Sequence, residues 1–67
     1  MRTVFKVHLR PGADPSLSNL SGVRIVSVEP LDSHTVRLTV AGDGHDAEQS
    51  LRTQKDSAIG YERLRQV

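Results

Sequence analysis

The sequence predicts a small α+β domain in which one antiparallel β-sheet is covered by helix on one face. Three observations predict this class. The chain has 67 residues, enough for a single domain spanning 1–67. Two of its segments alternate apolar and polar residues, as half-buried strands do. A polar segment with a thin apolar stripe separates the third predicted strand from the last. A domain of this size buries only about 60% of the surface of its unfolded chain, so a partner could add to its stability.

The first predicted strand runs from Thr3 to Leu9, and Pro11 and Gly12 end it. Alternation places Thr3, Phe5, Val7 and Leu9 on one side and Val4, Lys6 and His8 on the other. Residues 11–22 are rich in proline, glycine and serine, so we expect a loop with one helical turn near Ser16 to Leu20, capped by Asp14. Leu17 and Leu20 would then fill the core.

A hairpin is expected next. Val23 to Glu29 forms its first strand, which is rich in β-branched residues. Alternation places Val23 and Ile25 on one side of this strand and Val26 and Val28 on the other. Either both sides are partly covered, or a bulge changes the side on which the later residues lie. Residues 30–34 form the turn. Thr35 to Ala41 forms the other strand, with Val36, Leu38 and Val40 inward and Thr35, Arg37 and Thr39 outward.

A helix and a last strand complete the predicted domain. Asp43 can cap a helix that runs to about Asp56, whose apolar stripe consists of Ala47, Leu51 and, further on, Ala58. Ile59 to Val67 is expected to be a strand, with a helical continuation as the alternative. The order β-loop-β-β-α-β suits the split βαβ, or ferredoxin-like, plan with a degenerate first helix.

The segment Val4-Phe5-Lys6-Val7-His8-Leu9-Arg10-Pro11-Gly12-Ala13-Asp14 resembles the first strand and turn of subtilisin-propeptide-like domains, which also occur as free-standing protease inhibitors. Residues 46–51 look like the second helix of that family, and residues 57–62 like its last strand. The resemblance implies a ferredoxin-like fold and a role as protease inhibitor or folding assistant. The family's first helix is longer, and its C-terminal tail enters the protease cleft, whereas this chain ends on the predicted strand. Heavy-metal-binding domains share the plan, but their paired-cysteine loop is absent here.

No segment predicts catalysis, a cofactor or a metal site. Residues 42–47 fit the pattern G-x-G-x-x-A, but Asp43 and Asp46 would place negative charge beside a bound pyrophosphate. Asp43, His45 and Asp46 lack a spacing that places three metal ligands on one helical face. No serine lies in a nucleophile elbow, and the chain has no cysteine. We therefore expect a binding protein rather than an enzyme.

The outward sheet face is the predicted binding surface, because it combines basic side chains with apolar ones while the acidic residues cluster in the turns and the helix. Its predicted partner-binding residues are Val4, Lys6, His8, Arg24, Arg37, Tyr61, Arg63 and Arg65. The face could simply be solvated. It could bind another protein or a second copy, partly through Val26 and Val28. It could also bind nucleic acid, with cations on phosphate and Tyr61 stacking on a base.

Charge and hydropathy bear on partners and compartment. The formal net charge is only +1, which does not by itself require a nucleic-acid or membrane partner. No segment is apolar enough to span a bilayer. Lys6 follows the start of the chain too closely for a signal-peptide core, so we expect a cytoplasmic protein.

Overall fold

The structure is a computed structural model that describes residues 1–14, 16–17, 20, 22–53 and 58–67. Four strands and one helix lie in these ranges. They are β1 (Arg2–Leu9), β2 (Ile25–Pro30), β3 (Thr35–Ala41), α1 (His45–Thr53) and β4 (Ala58–Gln66). The expected end of the helix at Asp56 lies outside the described residues, as does Pro15 in the expected helical turn. The last segment is a strand and not a continuation of the helix.

The sheet has the strand order β2-β3-β1-β4, and each pair of neighbours is antiparallel. β1 and β3 are therefore its central strands, and β2 and β4 are its edges. The α+β class with an antiparallel sheet and one helix is confirmed. The ferredoxin-like assignment remains a prediction.

The core lies between one face of the sheet and α1. Alternation along β1 and β3 buries Phe5, Val7, Val36, Leu38 and Val40 on this face, as predicted. The remaining core residues are Leu9, Leu17, Leu20, Ala47, Leu51 and Ala58. The two leucines of the loop thus fill the core as expected, although residues between them lie outside the described ranges.

Irregular pairing explains why the facing of β2 was ambiguous in the sequence. The β2–β3 register shifts between Ile25 and Ser27, so Val26 is an extra residue. Val28 lies opposite Leu38 and packs against the core, which corrects its expected outward position. A bulge, and not burial of both sides, therefore switches the facing of this strand.

Two further shifts occur where β4 pairs with β1. One lies between His8 and Leu9 and the other between Val4 and Phe5, which makes Ile59 and Leu64 the extra residues of β4. Both are exposed on the edge strand. In the sequence, Ile59 and Tyr61 lie at odd positions and Leu64 at an even one, so they do not follow one alternation. The two bulges account for this and determine which side chains of β4 face α1.

The turn from β3 to α1 packs tightly on β1. The Asp43 carboxylate accepts a hydrogen bond from the backbone N–H of His45 (3.0 Å), and the Gly44 carbonyl accepts one from Glu48 (2.9 Å). Gly44 has φ of +83°, and a Cβ at this position would lie 2.7 Å from Cζ of Phe5. The predicted capping role of Asp43 is thus observed as a side-chain bond to the first helical residue, while glycine allows the backbone to approach the core.

Side chains of β4 attach α1 to the sheet. Arg63 donates to the Glu48 carboxylate from Nε (2.9 Å) and Nη2 (2.7 Å), and from Nη1 to the Asp43 carbonyl (2.8 Å). Its guanidinium also lies 5.4 Å from the centre of the Phe5 ring. Arg52 of α1 donates to the Tyr61 hydroxyl (3.0 Å), a hydrogen bond that raises the pKa of Arg52.

Candidate protein-binding face

The sheet face that points away from α1 is called the open face here. It consists of the alternate residues of β1 and β3 together with the edge-strand residues that lie opposite them. Cross-strand pairing arranges it in rows. The middle rows, read from β2 to β4, are Glu29–Arg37–Lys6–Glu62 and Ser27–Thr39–Val4–Arg65, followed towards one end by Thr35–His8–Gly60.

The first of these rows has two cations in its centre and a carboxylate on either side. Arg37 and Lys6 are cross-strand partners on the two central strands. Nη1 of Arg37 lies 3.7 Å from the Glu29 carboxylate, and both side chains are largely exposed, so this ion pair is weak. Among the described residues, the Lys6 ammonium has no carboxylate within ion-pair distance. The row therefore offers one free cation and one loosely held cation side by side.

Val4 lies next to this row on the open face but is buried. It lies opposite Thr39 and Arg65 and outside the core cluster, yet it is only 5% exposed. Long charged side chains can cover a small apolar neighbour with their aliphatic parts while their charges stay in water. The expectation that Val4 is an exposed apolar contact is therefore corrected, since it becomes accessible only when its neighbours move.

His8 lies beside the same row, near the β4 edge. Its Nε2 is 3.9 Å from the Glu62 carboxylate, and about two fifths of its side chain is exposed. Thr35, its cross-strand partner, is buried. His8 is therefore an accessible polar group whose partner Glu62 belongs to the charged row.

Arg24 and Arg65 lie towards the other end of the open face. Arg65 is exposed and is the cross-strand partner of Val4. Arg24 is exposed immediately before β2, and its carbonyl accepts a hydrogen bond from Ala41 (3.0 Å). Six of the eight predicted residues, Val4, Lys6, His8, Arg24, Arg37 and Arg65, are thus on or beside the open face.

Tyr61 and Arg63 lie on the opposite, helix-covered face, which corrects their expected position. They are the cross-strand partners of the core residues Val7 and Phe5. The Tyr61 ring meets the Phe5 ring edge-on, with centroids 6.0 Å apart. The shift at Ile59 causes this placement, because one extra residue moves the following side chains to the other face. Both residues support the packing of α1 and do not contribute to the open face.

Glu29 and Glu62 are the residues of the face that the sequence analysis missed. The acidic residues were expected to cluster in the turns and the helix, whereas these two carboxylates flank the central cations. Strand alternation with a bulge in β2 and another at Ile59 gives this placement. The bulge considered for residues 23–29 was the signal that could have placed Glu29 on this face. For Glu62 the signal was that Ile59, Tyr61 and Leu64 do not follow one alternation.

Phe5 and Tyr61, the two aromatic residues of the chain, both lie on the helix-covered face. Among the described residues, the open face therefore carries no phenylalanine, tyrosine or tryptophan, and its one ring is the His8 imidazole. Base stacking on this surface would therefore depend on the His8 imidazole and on arginine planes, without the larger ring of Tyr61.

The described residues contain no cluster of three or more histidine, cysteine or acidic side chains that could hold a metal ion. They also contain no helix of the length and apolar character needed to cross a membrane.

Comparisons of the chain with protein-family models, with curated proteins and with solved structures found no match.

Proposed function

We propose that this chain is a non-enzymatic module that binds another protein through its open face. One observation carries the proposal: Lys6 and Arg37 lie side by side at the centre of a sheet face that no described element covers, next to the buried Val4. Interfaces commonly combine arginine with apolar contact area. Exposure of Val4 by movement of its neighbours would add apolar area to a charged contact.

The open face suits a protein better than it suits nucleic acid. A nucleic-acid strand presents a continuous line of phosphates, and Glu29 and Glu62 would repel it on both sides of the central cations. A protein surface can instead place groups of both signs opposite this row. The helix-side position of Tyr61 also removes the stacking contribution on which the nucleic-acid alternative depended.

The role within this class is a second part of the proposal. The open face could serve a propeptide-like protease inhibitor or folding assistant. It could equally serve an accessory protein that forms oligomers. The strand order, with β1 and β3 in the centre, is compatible with the ferredoxin-like plan on which the inhibitor hypothesis depends. Titration of a subtilisin-type protease with the chain tests that hypothesis, and an absence of inhibition at micromolar concentration would remove it. A cytoplasmic location completes the proposal, and cell fractionation tests it.

The experiment for the face itself compares three versions of the immobilised chain. The Lys6→Glu/Arg37→Glu variant reverses the two central cations. The Arg10→Glu/Arg52→Glu variant makes the same change in net charge at a groove between α1 and β4, and it serves as the matched control once circular dichroism shows that it stays folded without the Arg52–Tyr61 hydrogen bond. We expect a partner captured from lysate by the unaltered chain to be retained at least about tenfold less by the first variant, which corresponds to about 1.4 kcal/mol.

Equal loss in both variants would mean that only net charge matters and would contradict the proposal. Light scattering on the three chains alone tests the self-association version: a second copy held by the open face would dissociate in the first variant and persist in the control. Binding of single-stranded nucleic acid that weakens steeply with added salt would favour the alternative function.

A further inference from the structure

The charge row Glu29–Arg37–Lys6–Glu62 restricts the chemistry of a partner more closely than net charge does. We propose that the open face binds an α-helix of another protein that carries two carboxylates one turn apart, with a basic residue outside each of them. This inference rests on the proposed function, because it specifies the partner of the same face. Its basis is the charge complementarity of the row.

The dimensions of the row favour a helix. Neighbouring strands lie about 4.8 Å apart, so the four side chains of the row span about 14.5 Å from β2 to β4. On a helix, residues at relative positions 1, 4, 8 and 11 lie on one face, and at 1.5 Å per residue they span about 15 Å. Their successive separations of about 4.5, 6 and 4.5 Å match the strand spacing closely enough for one-to-one contacts.

An extended peptide fits the same row less well. Side chains on one face of a strand repeat every 6.6–6.8 Å or so, and four of them span about 20 Å, which exceeds the width of the row. The complementary helical sequence is therefore Lys-x-x-Glu-x-x-x-Glu-x-x-Lys. Its two glutamates would meet Arg37 and Lys6, and its two lysines would meet Glu29 and Glu62.

The charged side chains of the row form only weak ion pairs with one another, so they remain accessible to such a helix. Lys6 has no ion-pair partner among the described residues, and the Arg37–Glu29 and His8–Glu62 contacts are long, at 3.7 and 3.9 Å. Weak surface pairs of this kind cost little to exchange for contacts with a partner. Apolar residues on the flank of the partner helix would then lie towards Val4.

Two synthetic alanine-rich helical peptides test the inference on the unaltered chain. One carries Lys-x-x-Glu-x-x-x-Glu-x-x-Lys and the other carries the inverted order Glu-x-x-Lys-x-x-x-Lys-x-x-Glu, so composition and net charge are identical. We expect the first peptide to bind at least about fivefold more tightly at low salt, as measured by NMR titration of the labelled chain, with shifts on the open face. Equal affinities, or shifts confined to the helix side, would overturn the inference.

A variant with the whole row reversed provides the second arm. Glu29→Lys, Arg37→Glu, Lys6→Glu and Glu62→Lys together leave the net charge unchanged, and we expect them to invert the preference between the peptides. An unchanged preference in a folded variant would also overturn the inference. The failure is distinguishable from failure of the proposed function, because the latter is decided by capture of the partner with the Lys6→Glu/Arg37→Glu variant and its control.

Discussion

Substitution of Gly44 by alanine tests the packing that holds the helix on the sheet. The new Cβ would lie 2.7 Å from Cζ of Phe5, a distance that real Cβ atoms essentially never show. It would also lie 3.0 Å from Cγ2 of Thr3, which is closer than most Cβ contacts in proteins. The Phe5 ring has little room to yield, because it is fully buried, meets Tyr61 edge-on and lies beneath the Arg63 guanidinium. Relief of the clash therefore requires the turn to move away from β1.

The expected magnitude has two parts. Alanine at a φ of +83° costs about 1–2 kcal/mol, and overpacking against a core ring costs about 1–3 kcal/mol more. Gly42 provides the matched control, since it has a φ of +87° and a Cβ there would meet nothing within 4 Å. We therefore expect Gly44→Ala to lower the free energy of unfolding by about 1–3 kcal/mol more than Gly42→Ala does.

Urea and thermal unfolding followed by circular dichroism measure this difference. For a domain of this size, each kcal/mol corresponds to roughly 4–8 °C in Tm. The total stability expected for the chain is about 3–10 kcal/mol, so Gly44→Ala could remove a large part of it. Equal destabilisation by Gly44→Ala and Gly42→Ala would refute the close approach of Gly44 to Phe5 and, with it, the observed position of α1 on the sheet.

Three further predictions concern the core, the helix contact and acid stability. Leu17→Ala should lower the free energy of unfolding by about 2–5 kcal/mol in urea melts, because it leaves a cavity beneath the loop, and a loss below about 1 kcal/mol would contradict its burial. Arg63→Lys should cost about 1–2 kcal/mol through loss of its bidentate contact with Glu48 and its hydrogen bond to the Asp43 carbonyl, and this cost should be smaller in a Glu48→Gln background, since only the Asp43 part then remains in full; an equal cost in both backgrounds would contradict the contribution of Glu48. The backbone N–H of His34 donates to the Asp32 carboxylate and lowers the pKa of Asp32. The stabilisation from this hydrogen bond is therefore present above the unfolded-state pKa of about 3.9 and is lost as the pH falls through the lower folded-state pKa. Asp32→Asn should flatten the pH dependence of the free energy of unfolding in this range, and an unchanged slope would contradict the assignment.

Much of the fold could be predicted from the sequence because strand alternation is a local signal. Residues Thr35 to Ala41 form a strand with the predicted facing, and the first strand differs from the prediction by one residue at its start. The polar helix also begins where glycine and aspartate interrupt β3. These segments each contain enough regular periodicity to predict their structure without knowledge of their neighbours.

The edge strands could not be assigned in full, because their bulges depend on pairing with another strand. One extra residue at Ile59 places Tyr61 and Arg63 against α1, and alternation alone gives no position for that residue. The same effect placed Glu62 on the open face. The predicted placement on the outward sheet face was therefore correct for residues of the central strands, such as Lys6 and Arg37, and wrong for Tyr61 and Arg63 of β4.

The reactivity of Lys6 with and without a bound partner tests the central claim most directly. The chain has one other lysine, Lys55, whose acetylation in the same sample provides an internal reference for mass spectrometry. If the open face binds the partner, the rate of Lys6 acetylation should fall at least about fivefold relative to Lys55 when the captured partner is present in excess, since an ammonium in a desolvated ion pair is less accessible. An unchanged Lys6 rate in the saturated complex would contradict the assignment of binding to this face.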